Sequence, residues 1–106
     1  MTRQIIIKFQ IEGIHRWIDC NLPDVSFLKD YHRHIFFIEV RKNVNHNDRD
    51  IEIIMFKRNL LNYFGLQPVN FENKSCEDIA QELLEYFNLD YVKVLEDNEN
   101  GALLKK

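Results

Sequence analysis

The sequence predicts an α+β layer: a four-stranded antiparallel sheet in the order ββααββ, with both helices on one face. Three observations carry the prediction. Ile5, Ile7, Phe9 and Ile11 alternate with Ile6, Lys8, Gln10 and Glu12, which is the period of a strand. A second apolar run, with Phe36, Ile38 and Val40 on one face, follows directly behind two histidines. Helical spacing then governs residues 52–64 and 75–87, before short strands at 90–96 and 102–104.

The first strand covers residues 3–12, and Gly13 allows a bend or a bulge. If the strand runs straight on, His15 keeps the parity of Ile7, Phe9 and Ile11 and ends on the core face; a bulge would break that parity. Residues 18–30 form a connection that turns at Pro23 and Asp24 and is partly buried through Val25, Phe27 and Leu28. Trp17, just before it, offers an aromatic wall for a flat ligand, although such a side chain serves packing equally well. The second strand, residues 32–42, pairs antiparallel with the first, so the end of one lies beside the start of the other.

Residues 43–50 read as a turn. Its His46 belongs far from His34, because ten residues of strand span roughly 33 Å. Asp48 or Asp50 reads as the cap of the next helix. In that helix Ile53, Phe56, Leu60, Tyr63 and Phe64 mark the apolar face, and Gly65 and Pro68 end it. After a second connection, residues 65–74, Ser75 caps the second helix, with Asp78 placed to complete a capping box. Cys76 falls on the apolar stripe with Ile79, Ala80, Leu83 and Phe87, and reads as a core thiol. Val92 and Val94 share a strand face with Glu96. The sheet leaves two open edges, which pairing between subunits into a barrel would cover.

The 106 residues suit a single domain over 1–106, and 45% hydrophobic content with eight phenylalanines supplies its core. A net charge of -3 without a basic block gives no support to a nucleic-acid partner. No stretch approaches a membrane span, and the start of the chain lacks the pattern of a signal peptide. Cys20 and Cys76 form no Cys-x-x-Cys pair and read as reduced thiols of a cytoplasmic protein.

His32 and His34 stand one residue apart on a strand and so point the same way, at the mouth of the core face. His15 arrives there from the first strand. One histidine near a core is ordinarily a hydrogen-bonded core residue, but three imidazoles converging with a fourth position open make the donor set of a catalytic zinc site.

Five segments in this order resemble the 6-pyruvoyl-tetrahydropterin synthase and 6-carboxytetrahydropterin synthase family, which has the tunnelling fold. His15-Arg16-Trp17 resembles the family's first zinc histidine, and His32-Arg33-His34 its His-Gly-His with arginine for glycine. Glu52-Ile53-Ile54-Met55-Phe56-Lys57 is similar to its Asp-Phe-x-x-Leu-Lys, and Ser75-Cys76-Glu77-Asp78-Ile79-Ala80 to its Thr-x-Glu-Asn-x-Ala. Val92-Lys93-Val94-Leu95-Glu96 resembles the strand that ends in a ring-binding glutamate. The resemblance implies zinc on His15, His32 and His34, a pterin- or purine-like ligand clamped by Glu96 with help from Glu77 and Trp17, and a homo-oligomer with sites near subunit interfaces.

The chain also departs from the pattern. The family's cysteine, four residues before His-x-His, is Leu28 here, and Cys20 lies too far upstream to replace it. The Asp-His half of its relay is missing, since residues 65–74 contain no histidine. The remaining candidates for a base are Asp30, then Asp19 and Cys20, and His46 from a neighbouring subunit. Two functions follow. One is a zinc-dependent lyase or synthase of the pterin or deazaguanine (queuosine) pathway with a rewired base. The other is a non-catalytic protein that holds a purine, pterin or nucleotide, as a virus-encoded protein sequestering a nucleotide signal would.

Overall fold

The two opening strands set the geometry of the whole molecule. In the computed structural model, which describes residues 1–106, β1 (Arg3–His15) and β2 (His32–Val44) are 13 residues each. They pair antiparallel along their full length, from Arg3 opposite Val44 to His15 opposite His32. No bulge interrupts the register at Gly13, so odd residues of β1 and even residues of β2 face the core together. Ile7, Phe9, Ile11, Phe36, Ile38 and Val40 are all buried on that face.

Each helix begins where a side chain satisfies its free amides. In α1 (Ile53–Phe64) the Glu52 carboxylate accepts from the Met55 amide at 2.7 Å. This corrects the expectation that Asp48 or Asp50 caps the helix: Asp50 instead accepts from the Asn45 amide and lies 3.4 Å from His46, closing its own turn. Gly65, at φ 71°, ends α1 in a conformation that other residues adopt with strain. In α2 (Cys76–Tyr86) Ser75 and Asp78 form the expected capping box, each side chain bonded to the other's amide at 3.1 Å. Leu60 of α1 and Ile79, Ala80 and Leu83 of α2 pack into one cluster with the core faces of the strands. Burial of each of the leucine and isoleucine side chains is worth about 1.5–3 kcal/mol.

The sheet is mixed and five-stranded, not four-stranded and antiparallel as the sequence suggests. Its order is β3-β1-β2-β4-β5, with β3 (Val69–Asn70) parallel to the end of β1 and β4 (Tyr91–Glu96) antiparallel to β2 and to β5 (Asn100–Lys105). The added strand arises because the connection between the helices lies against β1. Gly13 pairs with Val69 and Ile14 with Asn70, and the Phe71 amide donates to the Ile14 carbonyl at 2.8 Å. The pairing carries Phe71 over Gly13. A Cβ on Gly13 would stand 2.5 Å from the Phe71 ring and 3.1 Å from Phe36, so any larger residue there would have to displace Phe71. The connection at 18–30 also has structure of its own, a 3-10 helix at Pro23–Lys29.

On the helix-free face Lys8, Glu39 and Lys93 form one cross-strand row, and Arg41 reaches the same Glu39 carboxylate at 2.7 Å. Arg33 also lies on this face, paired with Glu12. The arginine between His32 and His34 therefore points away from both histidines.

Candidate metal centre

Strand register brings the three histidines together. His15 lies opposite His32, and His34 lies opposite Gly13, two pairs further in and so on the same face. Their ring centroids are 4.6 Å apart for His15 and His32, 5.3 Å for His15 and His34, and 5.0 Å for His32 and His34. Phe36 forms an aromatic floor, edge-on to both His15 and His34.

Every Nδ1 of the three rings is held from outside the cluster. His15 Nδ1 lies 2.8 Å from the Lys74 carbonyl, His32 Nδ1 2.9 Å from the Asp30 carbonyl, and His34 Nδ1 2.7 Å from the Asp97 carboxylate. A carbonyl or an ionised carboxylate only accepts, so each Nδ1 must carry the hydrogen. In the neutral rings each Nε2 is then a bare lone pair, which is the tautomer that metal ligands require.

Glu96 joins this cluster. β4 pairs Glu96 with Phe36, so its side chain falls on the core face beside His34. Its Oε2 is 2.9 Å from His15 Nε2 and 3.6 Å from His34 Nε2. The four donor atoms all lie within 4.8 Å of one another. Ligands of a single tetrahedral ion, each about 2.0–2.1 Å from it, would be roughly 3.3 Å apart. These residues therefore could hold a metal ion with only small side-chain adjustment.

Two further features fit a cation there. His15 Nε2 is buried and, despite its 2.9 Å approach to Glu96, has no aligned hydrogen-bond partner. Glu96 is an ionised acid, its pKa lowered first by His15 against the opposing effect of burial, with His34 and His32 adding to the shift. A lone pair facing a carboxylate is repulsive unless a proton or a metal ion lies between them. The same pull acts on His15: burial works against its protonation, but Glu96 and the Lys74 carbonyl outweigh burial and raise its pKa above 6.5.

No protein-family model matches the chain, and no curated protein does. Among solved structures it is similar to the crystal structure of the uncharacterized protein WS1659 from Wolinella succinogenes. The TM-score is 0.70 at 17% identity, covering 100% of this chain and 99% of that one. At that identity the likeness shows the fold alone, an α+β architecture shared over the full length.

The cluster opens into a pocket of about 380 Å³. Trp17, Leu28, Glu77, Glu96 and Cys76 line it together with His15 and His32. Trp17 and Glu77 thus line the same pocket, with Trp17 41% exposed. Asp30 is brought there differently: its carbonyl holds His32, and its carboxylate is not part of the pocket lining. Asp19 and His46 lie outside the pocket, and Cys20 is buried, with its thiol toward the Leu22 and Val25 carbonyls. Cys76 is buried beside Glu96, and burial, then the Glu96 and Glu77 charges, push its thiol up to about 12. It is an inert thiol at neutral pH.

Sequence reasoning missed Asp97 and Lys74. Asp97 holds His34 from the turn after β4, and Lys74 holds His15 through its main chain. Asp97 carried a partial signal: a carboxylate directly after a predicted site residue, in an Asp-Asn-Glu-Asn-Gly turn. Lys74 carried none, because a main-chain carbonyl has no sequence signature. No helix is long and apolar enough to cross a membrane.

Proposed function

We propose that this protein binds zinc through His15, His32 and His34 and acts as a lyase or synthase on a pterin or deazaguanine precursor. The observation that carries the reading is the set of three Nδ1-anchored imidazoles with bare Nε2 atoms, two of which, His15 and His32, line a pocket of about 380 Å³. That volume suits a small fused ring. Zinc is favoured over softer or harder ions by three neutral nitrogens with a carboxylate oxygen. When bound, it supplies Lewis acidity toward a substrate oxygen.

The chain's own residues do the rest. Lys74, Asp30 and Asp97 fix the ring orientations and tautomers. Phe36 walls the histidines off from water on the core side. Trp17 offers a face for a flat ring, and Glu77 and Glu96 offer acceptors to its N–H edge. Assembly through open sheet edges would place such sites near subunit seams; the outer edge of β5 and that of β1 before Gly13 have no partner strand.

A second reading rests on Leu28. It lines the pocket where the family resemblance calls for a cysteine, and residues 65–74 supply no histidine. An aliphatic wall without a relay suits a protein that holds a purine-, pterin- or nucleotide-like ligand without converting it. Incubation of zinc-loaded protein with dihydroneopterin triphosphate separates the two. Product formation abolished by His32→Ala supports the lyase. Tight, stoichiometric retention of the unchanged ligand supports the binding protein and rejects the lyase. Purified protein without stoichiometric zinc, or with zinc undiminished in His34→Ala, rejects the metal in both.

A further inference from the structure

We propose that Glu96 is a removable fourth ligand, which closes the metal centre when the pocket is empty and withdraws when a ligand enters. The inference rests on the zinc reading above and adds a role for the carboxylate beyond clamping a ring. Its basis is an asymmetry within the cluster. Each imidazole is locked through Nδ1 to Lys74, Asp30 or Asp97. The Glu96 carboxylate approaches the same point, 2.9 Å from His15 Nε2 and 3.6 Å from His34 Nε2, but no main-chain amide, lysine or arginine holds it there; outside the cluster its partner is the Cys76 thiol, a weak donor. It is also the member at a strand end: Glu96 is the last residue of β4, and Asp97 turns away from it at φ 54°. Its side chain is 30% exposed and forms part of the pocket wall.

The position is therefore filled by the one donor that can leave without breaking a strong hydrogen bond, the Cys76 thiol being a weak one. Withdrawal moves the carboxylate into the pocket that Cys76 and Glu77 also line. A bound ion would then take a donor atom of the ligand in place of the carboxylate oxygen, and the freed carboxylate needs N–H groups to replace what it gave up. A ligand must meet both needs at once. The pocket selects molecules that carry an oxygen or nitrogen donor on one side and an N–H edge on the other; a molecule with only one of these leaves a buried acceptor or an open coordination position uncompensated.

Cobalt(II) in place of zinc gives a test that does not depend on turnover. The visible bands of the cobalt protein report its coordination, and imidazole, a neutral donor, is the probe. A neutral probe matters because removing a nearby charge alone would not change its affinity much. The expected result is that Glu96→Ala and the isosteric Glu96→Gln bind cobalt and take up imidazole at least about tenfold more tightly than the unaltered chain, with altered cobalt bands before imidazole is added. Equal imidazole affinity and identical bands in all three proteins overturn the removable ligand while leaving the metal site intact. Failure of the unaltered chain to bind cobalt overturns the metal reading itself.

Discussion

Asp97 holds His34 and the start of the adjoining strand with a single carboxylate. One oxygen accepts from His34 Nδ1 at 2.7 Å and the other from the Ile35 amide at 3.0 Å. The His34 bond, then the Ile35 bond, lower the Asp97 pKa, so the group remains an acceptor at neutral pH. Asp97→Asn is expected to weaken zinc binding roughly 10–100-fold, the usual cost of losing a partner behind a metal ligand. Competition with a coloured chelator would measure it, and unchanged affinity would show that the contact orients nothing.

The imidazoles should act as a set. His15→Ala, His32→Ala and His34→Ala are each expected to reduce zinc from one per chain to well below that after dialysis. Elemental analysis of the purified variants, with circular dichroism to check folding, decides the matter. A variant that is folded and fully loaded would remove its histidine from the centre.

Gly13 is a packing point within an unbroken strand. Gly13→Ala places a methyl group 2.5 Å from the Phe71 ring and 3.1 Å from Phe36. Overpacking of this kind costs about 1–3 kcal/mol. Urea unfolding should show that loss. Because Phe36 lies under His15 and His34, zinc affinity should fall with it. An unchanged midpoint would mean that Phe71 moves aside freely.

Glu82 ties three segments together, accepting from Lys74 Nζ and from Tyr63 Oη, each at 2.8 Å. Lys74 lowers its pKa most, burial opposes, and Tyr63 adds to the lowering from 4.5. A carboxyl whose folded pKa lies below its unfolded one stabilises the fold above the unfolded value and loses that effect as pH falls through the folded value. At pH 7, Glu82→Gln should cost about 0.5–1 kcal/mol, the modest value expected for groups this exposed. The gap to the unaltered chain should close as pH drops below about 4. A gap of equal size at pH 7 and pH 3 would show that charge plays no part.

Much of the centre is legible in the sequence because strand parity is strict. Once β1 runs through Gly13 without a bulge, His15, His32 and His34 must share a face. Helix caps at Ser75 and Gly65 are equally local and can be read directly. What escapes is whatever depends on register between distant strands. The placement of Glu96 among the imidazoles follows from its pairing with Phe36, which periodicity does not determine. β3 escapes for a different reason: two residues are too few to show a period. The cap at Glu52, rather than Asp48 or Asp50, reflects a turn that consumes its own aspartates.

Arg33 and its neighbours His32 and His34 have opposite surroundings, although they are consecutive in the chain. The arginine meets Glu12 on the helix-free side, while the histidine rings pack against each other and, for His34, against Phe36 on the core side. The sheet thus works as a partition one residue thick. The exposed charges at positions 8, 12 and 33 can be exchanged to alter what docks against the bare side, whereas Glu39, buried among Lys8, Arg41 and Lys93, belongs to the fold. An engineer could retune the outer surface of this protein without retuning its chemistry.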